Sequence, residues 1–266
     1  MTGVQTCALP IYNANTHWVY PTSVETDALL DQSRSAAADF LNATVSEVAF
    51  GNNMTTLTFH LARALGSWWG PGDEVVITDL DHHANVAPWK RLERERGITV
   101  RHVKVNLATG QVDFDSLASV LGKKTKLLAI GAGSNALGTI LPVAEIISIA
   151  HGAGIPVLVD GAQAVAHMKV DLQALDADFY VFSGHKLYGP DGIGILNAAS
   201  DIVWLSGAAS THSTSWLALR HTTPVRAART ATSTGAFATS SPAARRRRRT
   251  ATPHRRGNPI RSRYLS

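Results

Sequence analysis

The sequence predicts an α/β domain, a mostly parallel β-sheet lying between layers of helices. Apolar runs alternate with helical segments from about residue 20 to residue 196. Several of these runs, such as Leu127 to Ile130, Ile155 to Val159 and Phe179 to Phe182, are continuously apolar rather than alternating. Continuous runs mark strands covered on both faces, which is the habit of parallel sheets flanked by helices. Polar clusters follow the strands at their carboxyl ends, where such sheets bind ligands.

Each element has its own warrant. Thr22 to Asn42 is a helix, because Leu29, Leu30, Ala37, Phe40 and Leu41 fall near helical spacing and Thr22 or Ser23 can cap it. Glu47 to Phe50 is a short strand, and Gly51 to Thr56 a turn opening a helix from Leu57 to Leu65. Gly70-Pro-Gly-Asp73 is a turn. The strand Glu74 to Thr78 ends in Asp79-Leu-Asp-His-His-Ala-Asn85, and a polar helix runs from Val86 to Arg96. Ile98 to Val105 is a strand and Asp113 to Leu121 a helix. Lys126 to Ile130 is a strand that empties into Gly131-Ala-Gly-Ser-Asn135-Ala-Leu-Gly138. Pro142 suits the first position of a helix reaching Ala153. Ile155 to Val159 leads to Asp160-Gly-Ala-Gln163, and Asp178 to Phe182 leads to Ser183-Gly-His-Lys-Leu-Tyr-Gly-Pro190. Gly192 to Leu196 is a last short strand.

The charge is divided along the chain. The net charge of +5 hides 13 Lys and Arg against 19 acids in residues 1–200, and 12 Arg against the single acid Asp201 in residues 201–266. The body is therefore mildly acidic, and the basic character belongs to the tail. With a hydrophobic content of 45%, the chain can build a sizeable core. The lone Cys7 excludes an intramolecular disulfide and a cysteine-based zinc cluster. No apolar stretch approaches the ~20 residues of a membrane helix, and residues 1–11 lack the pattern of a signal peptide. A cytoplasmic location is the expectation. Residues 1–11 read as a non-native leader. Residues 201–266, rich in Arg, Ser, Thr and Ala, sustain no helix or strand period. They read either as a disordered basic arm for nucleic acid or another polyanion, or as out-of-frame translation. Their lack of lysine favours the second, so nucleic acid is an expected partner only if the tail is native.

The strand-end residues suit one chemistry when taken together. A phosphorylated aromatic aldehyde held by a lysine needs an amine, and Lys186 supplies it. It needs an acid beside its ring nitrogen, and Asp160 fits. It needs a face to stack on the ring (His82), a donor to the ring oxygen (Gln163), and hydroxyls and N–H groups for the phosphate (Thr55, Ser183, His185). Burial beside a cationic ring would lower the Lys186 pKa. Each residue also has a plainer reading alone: Asp160 or Thr55 and Thr56 as helix caps, His82 and His83 as surface histidines, Asn135 as a turn residue, Lys186 as a solvated loop lysine. A metal site from Asp81, His82 and His83 is disfavoured, because adjacent residues point in different directions. Joint occurrence at one end of the sheet favours the cofactor reading.

These residues also carry a family resemblance. Asp160-Gly-Ala-Gln163 with Phe182-Ser-Gly-His-Lys-Leu-Tyr-Gly-Pro-Asp-Gly-Ile-Gly-Ile-Leu196 resembles the pyridoxal-phosphate segment of class V aminotransferase-fold enzymes. The likeness is greatest to the cysteine desulfurase and selenocysteine lyase branch, to which Asp81-His-His-Ala-Asn-Val-Ala-Pro-Trp89 and Ser134-Asn-Ala-Leu-Gly138 are also similar. The resemblance covers about Asn13 to Leu196. It implies a fold-type I, three-layer αβα large domain over residues 12–200, incomplete at its N-terminus and without the small C-terminal domain. It implies pyridoxal 5'-phosphate as cofactor and no metal. It implies that Lys186 carries the cofactor and moves protons on the substrate carbon, while His82 stacks on the ring and acts as acid–base. Asp160 would pair with the ring nitrogen, Gln163 with the ring oxygen, and Asn135 would lie near the substrate carboxylate. Ser183, His185 and Thr55 would hold the phosphate, with a backbone N–H from Met54. The implied reaction removes sulfur or selenium from cysteine or selenocysteine, in a homodimer, with a sulfur-acceptor protein as a further partner. This stretch would then be weakly active or inactive as written. Two departures bear on the substrate: Asn53-Met-Thr-Thr56 replaces the branch's usual Gly-Thr-Thr-Glu, and the family's sulfur-accepting cysteine and carboxylate-binding arginine belong beyond Leu196. The alternatives are a class V aminotransferase or other pyridoxal-phosphate lyase or racemase, and, from another class, a non-enzymatic fragment with a polyanion-binding tail.

Overall fold

The computed structural model describes residues 16–199. The expected leader with Cys7 and the expected tail lie outside the described residues. The chain opens with helix α1 (Pro21–Leu41), a 3-10 turn (Val45–Glu47), strand β1 (Val48–Gly51) and α2 (Met54–Gly66). Strand β2 (Glu74–Thr78), α3 (His83–Arg96) and β3 (Thr99–Val103) follow, then a small hairpin of β4 (Val105–Asn106) and β5 (Gln111–Val112). Next come α4 (Phe114–Val120), β6 (Thr125–Gly131), α5 (Val143–Gly152) and β7 (Val157–Asp160). The short α6 (Leu172–Leu175), β8 (Phe179–Ser183), a 3-10 turn (Gly184–Leu187) and β9 (Gly194–Ala198) complete it.

Seven strands form one sheet in the order β1-β9-β8-β7-β6-β2-β3. The pairs from β3 through β8 are parallel, whereas β9 runs antiparallel to both β8 and β1. The expected mostly parallel α/β sheet is thus present. The continuous apolar runs have the expected cause, since every residue of β2, β7 and β8 is buried. Successive residues of one strand enter opposite cores. Val157, Val159, Tyr180 and Phe182 pack with Leu117 and Ile146 on one face. Leu158, Phe179 and Val181 pack with Leu57, Leu61 and Trp89 on the other. Each such side chain contributes about 1.5–3 kcal/mol by leaving water, so this double-sided burial holds the central strands, and with them their carboxyl ends, in place.

Several local details differ from the sequence reading. Tyr20, not Thr22 or Ser23, is the α1 N-cap, with Pro at the start of the helix. Ser23 is buried, and its Oγ accepts the Trp18 N–H at 2.9 Å. Helix α2 begins three residues before the expected Leu57, because Asn53 Oδ1 accepts the Thr56 N–H at 2.8 Å and caps it. Helix α3 starts at His83 rather than Val86, with His82 as its N-cap. Among the described residues, no helix is long and apolar enough to cross a membrane.

Candidate active site

Strand register assembles the site. Gly131, Asp160 and Val181 lie side by side at the ends of β6, β7 and β8. Two residues further along β8, Ser183 pairs with Gly194 of β9. A cavity of about 390 Å³ opens over these ends, a size suited to a small-molecule ligand. All nine residues singled out from the sequence line it: Met54, Thr55, His82, Asn135, Asp160, Gln163, Ser183, His185 and Lys186.

Asp160 ends β7 and is only 6% exposed. Its Oδ1 accepts the Ala162 N–H at 2.9 Å, an Asx-type turn rather than the helix cap that a lone Asp suggests. Burial pushes the carboxyl pKa up, and the Ala162 N–H and the nearby His82 and Lys186 pull it back. Those two side chains line the same cavity as the carboxylate.

The Lys186 segment is built by close backbone approach. The strand stops at Ser183, and the 3-10 turn carries Lys186 three residues past it to the exposed mouth of the cavity. Lys186 is thus not the buried amine expected from its place after a core strand. Tyr188 takes a left-handed conformation to leave the turn, and Gly189 N–H returns to Gly184 O at 2.9 Å. A Cβ on Gly189 would stand 2.9 Å from that same carbonyl oxygen, which excludes a side chain there. His185 Nδ1 lies 3.3 Å from Asp191 Oδ1.

The opposite wall comes from the start of α2. Buried Ser183 accepts the Met54 N–H on Oγ at 2.9 Å, which leaves the Ser183 O–H free to donate. A Cβ on Gly194 would lie 2.6 Å from the Asn53 backbone. Glycine at 194 therefore lets β9 seat the α2 N-terminus beside Ser183. Thr55 is exposed into the cavity from the first turn of α2, where free N–H groups and the helix dipole favour an anion.

His82 caps α3 through Nδ1, which accepts the Ala84 N–H at 3.1 Å. Asn135 sits in a turn pinned by Ser134, whose Oγ accepts the Ala136 and Leu137 N–H groups at 3.3 and 3.2 Å. Gln163 packs beside Gly133, 3.8 Å from where a Cβ would stand. Sequence reasoning missed Asn53, Asp191 and the role of Asp81 in this lining. Asn53 was discoverable as an N-cap residue ahead of two threonines.

Comparisons with known proteins identify the family. Residues 8–213 match the model of the family described as Aminotransferase class-V. A "Cysteine desulfurase" of Dickeya dadantii (strain 3937) is 42% identical over 194 residues, which are 72% of this chain and 47% of that protein. The apo structure of a cysteine desulfurase from Thermococcus onnurineus NA1 superposes with a TM-score of 0.68 at 32% identity, covering 79% of this chain and 54% of that one. A C-DES mutant with glycine covalently linked to its PLP cofactor superposes with a TM-score of 0.66 at 26% identity, covering 80% of this chain and 58% of that one. The chain spans about half the length of the curated relatives it matches. The family match spans most of the chain, and the chain belongs to the class V aminotransferase family.

Proposed function

We propose that the cavity holds pyridoxal 5'-phosphate and that the protein acts on an amino acid, cysteine or selenocysteine, to remove its sulfur or selenium. The observation that carries this reading is the opposition of Asp160 and Lys186 across one cavity, with Ser183 and the α2 N-terminus at its wall. The donor set fits the group. A buried carboxylate with one short hydrogen bond, to Ala162, suits a protonated ring nitrogen. The Ser183 O–H, the first turn of α2 and His185 suit a phosphate. The Lys186 amine at the cavity mouth suits an aldehyde.

Bound pyridoxal phosphate supplies an electron-accepting ring that stabilises negative charge on the substrate carbon. The rest is the work of this chain. Asp160 keeps the ring nitrogen protonated. Gln163 donates to the ring oxygen, and His82 covers a ring face. Asn135 lies toward the substrate carboxylate. Lys186 would hold the aldehyde through its amine and would move a proton at the substrate carbon. Met54 acts through Ser183, whose hydroxyl it orients. In the longer protein, cysteine sulfur passes to a thiol as a persulfide and alanine leaves. That protein is a cytoplasmic homodimer that hands sulfur to an acceptor protein. Transamination and racemisation use the same residues, and sulfur removal is preferred because the curated relatives cited above are desulfurases.

Adding pyridoxal phosphate to the purified protein is expected to produce an absorbance band near the visible edge, and Lys186→Ala to abolish it. A band unchanged in Lys186→Ala would overturn the assignment of Lys186. Alanine and sulfide released from cysteine by the longer protein would support the substrate assignment; pyruvate or a keto acid in their place would favour another outcome on the same scaffold.

A further inference from the structure

Asp81 occupies the turn between β2 and α3 and divides its carboxylate among three elements. Its Oδ2 accepts the Thr78 N–H at 2.6 Å and the Thr78 hydroxyl at 2.9 Å, both from the end of β2. Its Oδ1 accepts Asn85 Nδ2 at 3.2 Å, from the first turn of α3. The same oxygen lies 3.4 Å from where a Cβ on Gly131 would stand, at the end of β6. Gly131 is the register partner of Asp160. One carboxylate thus ties the turn to the strand before it, to the helix after it and to the strand beside the cavity floor.

The next residue is His82. Its carbonyl accepts the Asn85 N–H at 2.8 Å, and its Nδ1 accepts the Ala84 N–H at 3.1 Å. An imidazole nitrogen that accepts a hydrogen bond carries no proton, so heavy-atom geometry assigns the neutral ring a proton on Nε2. His82 then offers the cavity a donor, while its basic nitrogen is turned into the helix. The ring keeps that orientation only while its backbone is held, because a single cap bond is weak by itself.

We propose that Asp81 is a positioning residue, which through the turn it anchors fixes His82 over the cavity as a hydrogen-bond donor through Nε2 with Nδ1 occupied. The identity of what lies beneath His82 rests on the cofactor reading above; the anchoring of His82 does not. Burial pushes the Asp81 carboxyl up to about 6 against the pull of its donors. Above that pH it is ionised and accepts from all of them.

Long-range ¹⁵N–¹H correlation spectra of the full chain without added cofactor read the tautomer directly, with His82→Gln assigning the signals. Above neutral pH, His82 is expected to show the single Nε2–H pattern. Asp81→Asn, which keeps the size and removes the charge, is expected to lose that pattern and give the averaged shifts of a solvated imidazole. Thr78→Val, which removes one donor, is expected to move the His82 shifts part of the way. An Asp81→Asn protein that keeps the single-tautomer pattern overturns the proposal. If Asp81→Asn does not fold, unchanged His82 shifts in Thr78→Val overturn it. The pyridoxal-phosphate absorbance band reports on the cofactor reading separately, since the tautomer is read without the cofactor.

Discussion

Two buried carboxylates lie on neighbouring strands of one sheet, at opposite ends, and they are treated differently. Asp178 stands just before β8 and is 8% exposed. Its Oδ2 meets His151 Nε2 at 2.9 Å and accepts the Val157 N–H at 2.7 Å. His151 in turn sets Nδ1 3.3 Å from Asp176. Asp160, at the far end of β7, is as deeply buried but has one short hydrogen bond, from Ala162, and otherwise shares the lining of the cavity with His82 and Lys186. A carboxylate that serves the fold is matched by the fold. One that is left under-matched at the rim of a cavity is held at a cost, and such costs mark functional sites.

The contrast can be broken most forcefully at its structural end. Asp178→Ala leaves the Val157 N–H buried without its acceptor and removes the carboxylate that His151 Nε2 meets. It should cost about 3–5 kcal/mol, as breaking a buried pair does. Urea unfolding measures this, and the absorbance of bound pyridoxal phosphate in the folded fraction should not change. A loss below ~1 kcal/mol would remove Asp178 from the class of structural anchors.

A smaller effect is expected at the cavity wall. Gly194→Ala drives a methyl group into the Asn53 backbone. Overpacking of this kind costs about 1–3 kcal/mol, and here it also parts Ser183 from the α2 N-terminus. Inorganic phosphate and pyridoxal phosphate should both bind more weakly, as read by equilibrium titration. Unaltered affinity for both would mean that the α2 N-terminus is not the anion site.

The third effect is a slope with pH. Burial raises the folded-state pKa values of Asp81, to about 6, and of Asp160 above the ordinary carboxylate range. Between the unfolded and folded values the native state binds more protons than the unfolded one, so stability falls as pH rises through that window. From about pH 4 to pH 6, the parent should lose stability relative to Asp81→Asn, and thermal melts across that range measure the difference. A flat difference would mean that the Asp81 carboxyl is not desolvated.

Much of the sheet could be read from the chain, because strands buried on both faces have no polar face to interrupt them. The Leu127 to Ile130 and Phe179 to Phe182 stretches show this plainly. The cavity residues were legible for a related reason: Asp160, Ser183 and Lys186 are polar groups placed where a core strand ends. The Asn53 cap was hidden behind Thr55 and Thr56, which compete for the same role by composition. Neither the β4–β5 hairpin nor α6 carries enough residues to show a period. The reversed direction of β9 comes from pairing with both β8 and β1, which no local pattern encodes. Asp81 was weighed only as a metal ligand. Its partners Thr78, Asn85 and Gly131 belong to three elements, and only the β2–β6 neighbourhood brings the last of them near.

The smallest effect bears most directly on the claim that Asp160 is held at a cost for a cationic ring. Its raised pKa means that the ionised form is disfavoured by folding at neutral pH. Without cofactor, Asp160→Asn should therefore melt at a higher temperature than the parent. Saturating pyridoxal phosphate should reverse the order, raising the parent above the variant. An Asp160→Asn protein that melts below the parent without cofactor, and gains as much as the parent when pyridoxal phosphate is added, would contradict the pairing of Asp160 with the ring.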